Sequence, residues 1–217
     1  MGSEQPLDVG RLFGALAGQV RQNVLAIVVA LVVLVSGNLA MDQWLPLQST
    51  FAAGGLLTLV VQYFLARSAL VRSDLLAPDA DHRFLSFWGM SILTGLATIV
   101  GFVFLILPGL YLNARWLIAG PIILGEDKTA GEGMGESWES MKTSVWPVVG
   151  ATLLLYVIAF GVGMTPTIYY GEEEVPLAIE AVGYLFVYLA SVFGWLMAVG
   201  AYALIREPTA SLEEIFA

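Results

Sequence analysis

The feature that most constrains this chain is a long stretch almost without charge. Between Phe84 and Leu124 the sequence runs for 41 residues, and Arg115 carries the one full charge among them. Roughly 20 helical residues cross a hydrocarbon core about 30 Å thick, so this stretch is long enough for two spans. The pair Pro108-Gly109 divides it and predicts the turn between the two spans. We infer an integral membrane protein with one arginine buried in a span.

The composition is typical of a membrane protein and excludes several kinds of function. Hydrophobic residues make up 58% of the 217 residues and charged residues 12%, whereas soluble domains carry roughly 25% charged residues. The absence of cysteine rules out disulfides, thiolate nucleophiles and cysteine metal sites, and the single histidine, His82, rules out a site with several histidines. A net charge of −9 argues against nucleic-acid binding, which needs a basic surface. We expect no metal, no cofactor and no nucleic-acid partner.

Six apolar runs predict an all-α, polytopic membrane protein that forms a single membrane domain over residues 1–217. The predicted spans are 24–41, 51–71, 84–107, 110–124, 145–166 and 177–205. The fourth run is short for a bilayer, and the sixth is long enough to tilt or protrude. The first run lacks a convincing signal-peptide cleavage site, so we expect it to be retained as a span. Beyond the last span, a single helical turn is predicted at 211–216.

Two further segments have the periodicity of amphipathic helices that lie at the membrane interface. In 7–22 and in 130–143, apolar residues recur at spacings of three and four, with charged residues on the other faces. Thr129 and Glu132 have the spacing of a capping box, and the glycines of 131–135 are interpreted as a flexible entry to the second helix. Laying 16–27 over 137–148 places Asn23 on Ser144 and suggests a parallel repeat, although chance similarity between two such junctions remains an alternative.

The distribution of lysine and arginine predicts the orientation. Eight of the nine cations fall before the first span, between the second and third, between the fourth and fifth, and after the sixth. The connections on the opposite side hold none. Cytoplasmic loops carry an excess of cations, so both termini are predicted to be cytoplasmic.

The segment 107–116 contains Pro-Gly-x-Tyr followed by an arginine, and Pro121, Ser137 and Trp146 come later. This pattern resembles a bacterial family, the membrane domain that is sometimes fused to glycerophosphodiester phosphodiesterases, together with its uncharacterised stand-alone relatives. The matching positions are Pro108, Gly109, Tyr111, Arg115, Pro121, Ser137 and Trp146. The resemblance implies a six-span fold in a bacterial cytoplasmic (inner) membrane. It carries no phosphodiesterase activity, because the hydrolytic domain of the fused members is absent from these residues.

The polar residues inside the predicted spans are few, and they define the candidate site. Glu180 is the one acidic residue available within a span, so we predict that it pairs with Arg115, either as a structural pair or as an anchor for substrate or lipid phosphate. The predicted polar cluster is Asn113, Arg115, Glu180, Tyr184 and Tyr188. Ser137 lacks the neighbours of a catalytic serine and is predicted to donate a hydrogen bond that seats the second interfacial helix.

These features favour a non-enzymatic membrane protein that binds or organises lipid. The alternative is a small transporter that uses the polar face around Arg115 and Glu180. An intramembrane enzyme is not predicted, since no constellation of nucleophile, base and metal can be identified. The expected partners are membrane lipids, with a homo-oligomer or another membrane protein as further possibilities.

Overall fold

The computed structural model describes residues 7–80, 83–104, 106–170 and 175–216, and all regular structure within these ranges is α-helical. The helices are α1 Val9–Gln22, α2 Val24–Trp44, α3 Leu47–Arg72, α4 Phe84–Phe104, α5 Ile106–Arg115, α6 Ala119–Gly125, α7 Ala130–Ser140, α8 Val145–Gly163, α9 Thr165–Tyr170 and α10 Leu177–Phe216. The tail beyond residue 206 continues α10 as helix, so the predicted single turn at 211–216 is wrong.

Within the described ranges, six helical stretches are long and apolar enough to cross a membrane, which confirms the all-α polytopic fold. They are Val24–Trp44, Gln48–Arg72, Phe84–Gly101, Leu107–Gly125, Val145–Tyr170 and Leu177–Arg206. The fourth is 61% buried over its most apolar window, whereas the other five are 17–39% buried. The fourth stretch therefore lies inside the bundle, and the others expose one face to the surroundings.

The turn between the third and fourth spans does not lie at Pro108-Gly109, as the sequence suggested. Both residues belong to the beginning of α5, which starts at Ile106. Proline is compatible with the first turn of a helix because its missing N–H would have no helical partner there. A Cβ on Gly101 would lie 2.8 Å from the backbone of Gly109, so the two glycines allow α4 and α5 to form a close hairpin.

The fourth span is one membrane crossing made of two helices. α5 ends at Arg115, residues 116–118 form a turn, and α6 begins at Ala119. Pro121 explains why α6 is a separate helix. A proline is tolerated in the first turn of a helix, but within one continuous helix from α5 to α6 it would remove a backbone hydrogen bond. Gly120 brings α6 close to α4, because a Cβ at this position would lie 2.8 Å from the Phe87 ring.

Helix α1 lies across one end of the bundle. Just before α1 begins, the backbone amide of Leu7 donates to the Ser144 hydroxyl at the start of α8, at 3.0 Å. Near the end of α1, Gln19 Nε2 donates to Ser73 Oγ at the end of α3, at 2.9 Å. Leu12 and Leu16 are buried beneath it. This end of the molecule, which also holds α7 and the end of the Leu177–Arg206 span, is named the α1/α7 end.

Helix α7 packs along α6, and its capping box is present as predicted: Thr129 and Glu132 bond each other's backbone amides. The interpretation of residues 131–135 as a flexible entry is wrong, because they lie within α7. Gly133 is buried against Ile123 and leaves no room for a Cβ.

The proposed repeat has a local counterpart at two helix junctions. Asn23 has φ −114° and ψ 19° where α1 meets α2, and Ser144 has φ −110° and ψ 8° where α8 begins. Both residues are buried. The surroundings differ, since α1 packs mainly on α10 and α7 mainly on α6. The similarity is therefore one of junction geometry.

Candidate functional site

The predicted ion pair between Arg115 and Glu180 is wrong, because the two residues lie far apart along the bundle. Ser137 Oγ donates to the Arg115 carbonyl at 2.9 Å, and the next residue before it, Glu136, pairs with Arg206. Along α10, residues 180 and 206 are separated by 26 positions, a rise of about 39 Å. Because Pro108-Gly109 was taken as the turn, the sequence prediction placed Arg115 nearer to the Glu180 end than the middle position that it has in the Leu107–Gly125 span.

Arg115 is instead covered by α7. Its guanidinium lies 4.2 Å from the ring centroid of Trp138 and 5.8 Å from that of Tyr111, so cation–π contacts replace the expected carboxylate. The side chain is 4% exposed, and Nε has no hydrogen-bond partner. The hydrogen bond from Ser137 to the Arg115 carbonyl confirms that this serine seats α7.

Three of the other predicted cluster members, Glu180, Tyr184 and Tyr188, lie towards the end opposite α1 and α7. The hydroxyl of Tyr184 donates to Asp42 at the end of α2, and its ring stacks on that of Tyr188 with centroids 6.0 Å apart. Glu180 is near Asp42 and has no ion pair with a cation among residues 7–80, 83–104, 106–170 and 175–216. The arrangement joins α2 to α10 and leaves two carboxylates near each other.

An ionic cluster that sequence reasoning missed joins α6, α7 and α10. Lys128 pairs with Glu126 at 2.6 Å and with Glu136, and Arg206 pairs with the same two carboxylates. The Tyr202 hydroxyl donates to Glu126 Oε1 at 3.0 Å. Lys128 lies only 8 residues from Glu136, but Arg206 lies 70 residues from Glu136, and only the packing of α10 against α6 brings it to the cluster.

The charges in this cluster shift one another's protonation. Burial alone would raise the pKa of the Glu136 carboxyl, but hydrogen bonds from Lys128 and Arg206 outweigh it and lower the pKa. Hydrogen bonds to Glu126 and Glu136 raise the pKa of the Lys128 ammonium. The Glu136 carboxyl and the Lys128 ammonium are therefore both ionised near neutral pH.

A cavity of about 380 Å³ lies among α3, α4, α5, α6, α8 and α10. Its volume is within the range of small-molecule pockets, roughly 300–1,000 Å³. The polar side chains that line it are Gln62, Ser91, Thr94, Thr98, Asn113, Thr152 and Tyr156. Of the predicted cluster, only Asn113 belongs to this cavity.

Several of the lining polar groups lack partners. The hydroxyl oxygens of Ser91 and Thr152 are buried and make no hydrogen bond. The side-chain amide of Asn113 is exposed and also makes no hydrogen bond with the described part of the chain. A buried polar group without a partner costs roughly 1–3 kcal/mol, so the hydroxyls of Ser91 and Thr152 favour a polar ligand or water inside the cavity. By contrast, Thr94 Oγ1 donates to the Met90 carbonyl at 2.9 Å.

A second space of about 490 Å³ lies next to the cavity, between α5 and α8. It shares Asn113, Thr152 and Tyr156 with the cavity and is otherwise lined by apolar residues. Two of these, Val157 and Phe160, are more than half exposed on the outside of the bundle. The polar cavity thus lies next to an apolar opening on the face that membrane lipid would contact.

The hydroxyls on α4 were a signal in the sequence that was not used. Ser91, Thr94 and Thr98 recur at helical spacing in the third span and face the same cavity. Asn113 and Thr152 complete the lining from two other helices, and no spacing rule connects them to α4.

The remaining motif positions have structural roles. Pro108, Gly109 and Pro121 shape the fourth span, Tyr111 packs edge to face on Trp138, and Trp146 is 69% exposed in the first turn of α8. An exposed tryptophan there is typical of a side chain at the membrane interface. His82 lies outside the described residues.

No family model, curated protein or solved structure matches the chain. The resemblance to the membrane domain associated with glycerophosphodiester phosphodiesterases therefore stays a prediction, and the site is interpreted from its geometry.

Proposed function

We propose that this protein is a lipid-binding membrane protein rather than an enzyme, and that its cavity takes a membrane amphiphile. The polar part of the ligand would lie near Ser91, Asn113 and Thr152, and its hydrocarbon chain would leave between α5 and α8. The observation that carries the proposal is that unpartnered polar groups lie next to an apolar, outward-facing opening, with Asn113, Thr152 and Tyr156 lining both spaces.

The chemistry of the lining supports an amphiphile over a purely polar or apolar ligand. Unsatisfied hydroxyl and amide groups in a membrane interior need partners, which a hydrocarbon cannot supply. The opening is lined by Leu153, Val157 and Phe160, which offer no partner to a polar solute. A molecule with a polar head and an apolar chain matches both parts. We place the protein in a bacterial cytoplasmic membrane with the α1/α7 end towards the cytoplasm, on the basis of its cations and of the family resemblance.

The test is photo-crosslinking in nanodiscs with a phosphatidylcholine that carries a diazirine on one acyl chain. We expect crosslinks on the facing segments of α5 and α8. A leucine at Gly95 fills the cavity, since this glycine lines it and a Cβ there meets nothing within 4 Å. Gly89 offers the same open space without lining the cavity and is the matched control. Gly95→Leu should remove most of these crosslinks and Gly89→Leu should not; equal labelling of both variants would contradict the proposal.

A carrier role is the second candidate function, and the break between α5 and α6 favours it. Discontinuous helices frequently line the binding sites of transporters, and residues 116–118 interrupt the fourth span beside the cavity. A carrier would use the cavity rather than the separated residues Arg115 and Glu180. Movement of a fluorescent phospholipid between leaflets of proteoliposomes, blocked by Gly95→Leu, would support it, whereas ligand binding without movement would leave the binding role alone.

A further inference from the structure

We propose that Arg115, Tyr111 and Trp138 form a binding site for a phosphate-class oxyanion, on the face of α5 that is turned away from the cavity. Arg115 and Tyr111 are four residues apart and therefore lie on one side of α5. Asn113, between them, lines the cavity on another side. The site is distinct from the one that carries the proposed function.

The guanidinium of Arg115 is buried without a polar partner among the described residues. Arg115 is 4% exposed, yet it makes no ion pair and its side chain donates no hydrogen bond within the described ranges. The other cations nearest along the chain are paired, since Arg83 bonds Asp127 and Lys128 bonds two glutamates. A guanidinium has five N–H donors, and leaving them without acceptors in a membrane protein is unfavourable.

The aromatic residues around the guanidinium carry hydrogen-bond donors of their own. Trp138 and Tyr111 present their rings to the guanidinium, and the indole N–H and the phenol hydroxyl make no hydrogen bond with the described residues. Two further donors thus stand beside the cation. The two carboxylates on either side of Trp138 in α7 do not pair with Arg115. Glu136 pairs with Lys128 and Arg206, and Glu139 is exposed.

A ligand can reach the site from the surface of the protein. Tyr111 is 37% exposed, so one side of the site reaches the surface beside α7. The planar fork of a guanidinium matches the oxygens of a phosphate group, and the commonest phosphate at a membrane surface is the lipid phosphodiester. A lipid headgroup and free inorganic phosphate share this chemistry, so the experiment must separate them.

The test measures the thermal stability of purified, delipidated protein in detergent. The probes are phosphatidylglycerol, diacylglycerol with the same acyl chains, and inorganic phosphate at constant ionic strength. We expect phosphatidylglycerol to raise the melting temperature more than diacylglycerol does. Arg115→Gln should weaken the response to phosphatidylglycerol at least about tenfold, because a charge-assisted contact is lost. Arg21→Gln removes an exposed cation from α1 and should leave the response unchanged.

Two further variants keep the test informative if Arg115→Gln does not fold. Tyr111→Phe keeps the ring and removes the hydroxyl, and Arg115→Lys keeps the charge and removes the fork; both should give intermediate responses. An Arg115-dependent response to phosphatidylglycerol alone assigns the site to a lipid headgroup, and an equal response to inorganic phosphate assigns it to a soluble anion. Equal losses in Arg115→Gln and Arg21→Gln, or no response to either probe, would overturn the proposal.

The outcome is separable from that of the proposed function. Gly95→Leu fills the cavity on the other side of α5 and should leave the Arg115-dependent response unchanged. Loss of acyl-chain crosslinks with an intact phosphate response would reject the cavity alone, and the reverse result would reject the Arg115 site alone.

Discussion

At the scale of single residues, the polar side chains of this bundle divide into those with partners and those without. Glu136, Lys128 and Arg206 satisfy one another at the α1/α7 end. Ser91, Thr152 and Arg115 have atoms that are buried without a partner. Partnered groups at helix ends are explained by stability, whereas buried unpartnered groups reduce stability and are more simply explained by binding.

Thr152→Val should separate stability from binding. Valine has nearly the same shape and removes a hydroxyl whose oxygen has no partner, so the free energy of unfolding without ligand should rise by about 1 kcal/mol. Retention of phospholipid should fall. Thr94→Val is the control, because its hydroxyl is already satisfied by Met90 and its removal should not stabilise the protein. Thermal unfolding with native mass spectrometry of both variants measures the two effects, and a Thr152→Val protein that is less stable would count against this interpretation.

Glu136→Gln should destabilise the protein by about 1–2 kcal/mol at pH 7, because it removes hydrogen bonds from two cations. The lowered pKa of Glu136 means that its contribution is present above the ordinary value of 4.5 and is lost as the pH falls below it. Because the pKa of Lys128 is raised, the stabilisation from its ion pairs is fully present below pH 10.5 and is lost only as the pH rises further.

Unfolding of the wild type and of Glu136→Gln, compared from pH 4 to pH 8, measures this effect. The difference between them should be constant near neutral pH and should shrink as the pH falls below 4.5. Glu139→Gln on the exposed side of α7 is the control and should behave as the wild type at every pH. A difference between wild type and Glu136→Gln that stays constant down to pH 4 would show that the carboxylate does not act through its charge.

At the scale of helices, the close contacts are made by glycines. Gly101→Ala should destabilise the α4–α5 hairpin by roughly 1–3 kcal/mol, since the added Cβ would meet the backbone of Gly109, which cannot move aside as a side chain would. Gly89→Ala on the same helix meets nothing within 4 Å and should be neutral or stabilising by up to about 1 kcal/mol through helix propensity. Equal thermal stability of the two variants would refute the close hairpin.

The sequence predicted the helices better than their contacts. Long apolar runs have one stable solution in a bilayer, and a capping box depends only on neighbouring residues, so both could be anticipated. Pro108 was misleading because a proline fits the start of a helix as well as a turn. The partner of Arg115 could not be found, since the depth of a residue depends on where its hairpin reverses. The cavity was missed because its lining comes from several helices.

At the scale of the whole molecule, the cations predict which end faces the cytoplasm. The chain has no cysteine, so single cysteines can report topology directly. Glu139→Cys on α7 and Gln43→Cys near the end of α2 lie at opposite ends and are exposed. In intact cells, a membrane-impermeant maleimide should label Gln43→Cys and should reach Glu139→Cys only after the cells are opened. The reverse pattern would contradict the predicted orientation.

The proposed function depends on a membrane amphiphile that is bound in the cavity among α3, α4, α5, α6, α8 and α10. Its most direct test is an experimental structure of the protein in nanodiscs of native lipid. The account predicts elongated density that begins beside Ser91, Asn113 and Thr152 and leaves the bundle between α5 and α8. A cavity that contains only ordered water, with Asn113 and Thr152 hydrogen-bonded to it and no chain between Val157 and α5, would contradict the claim.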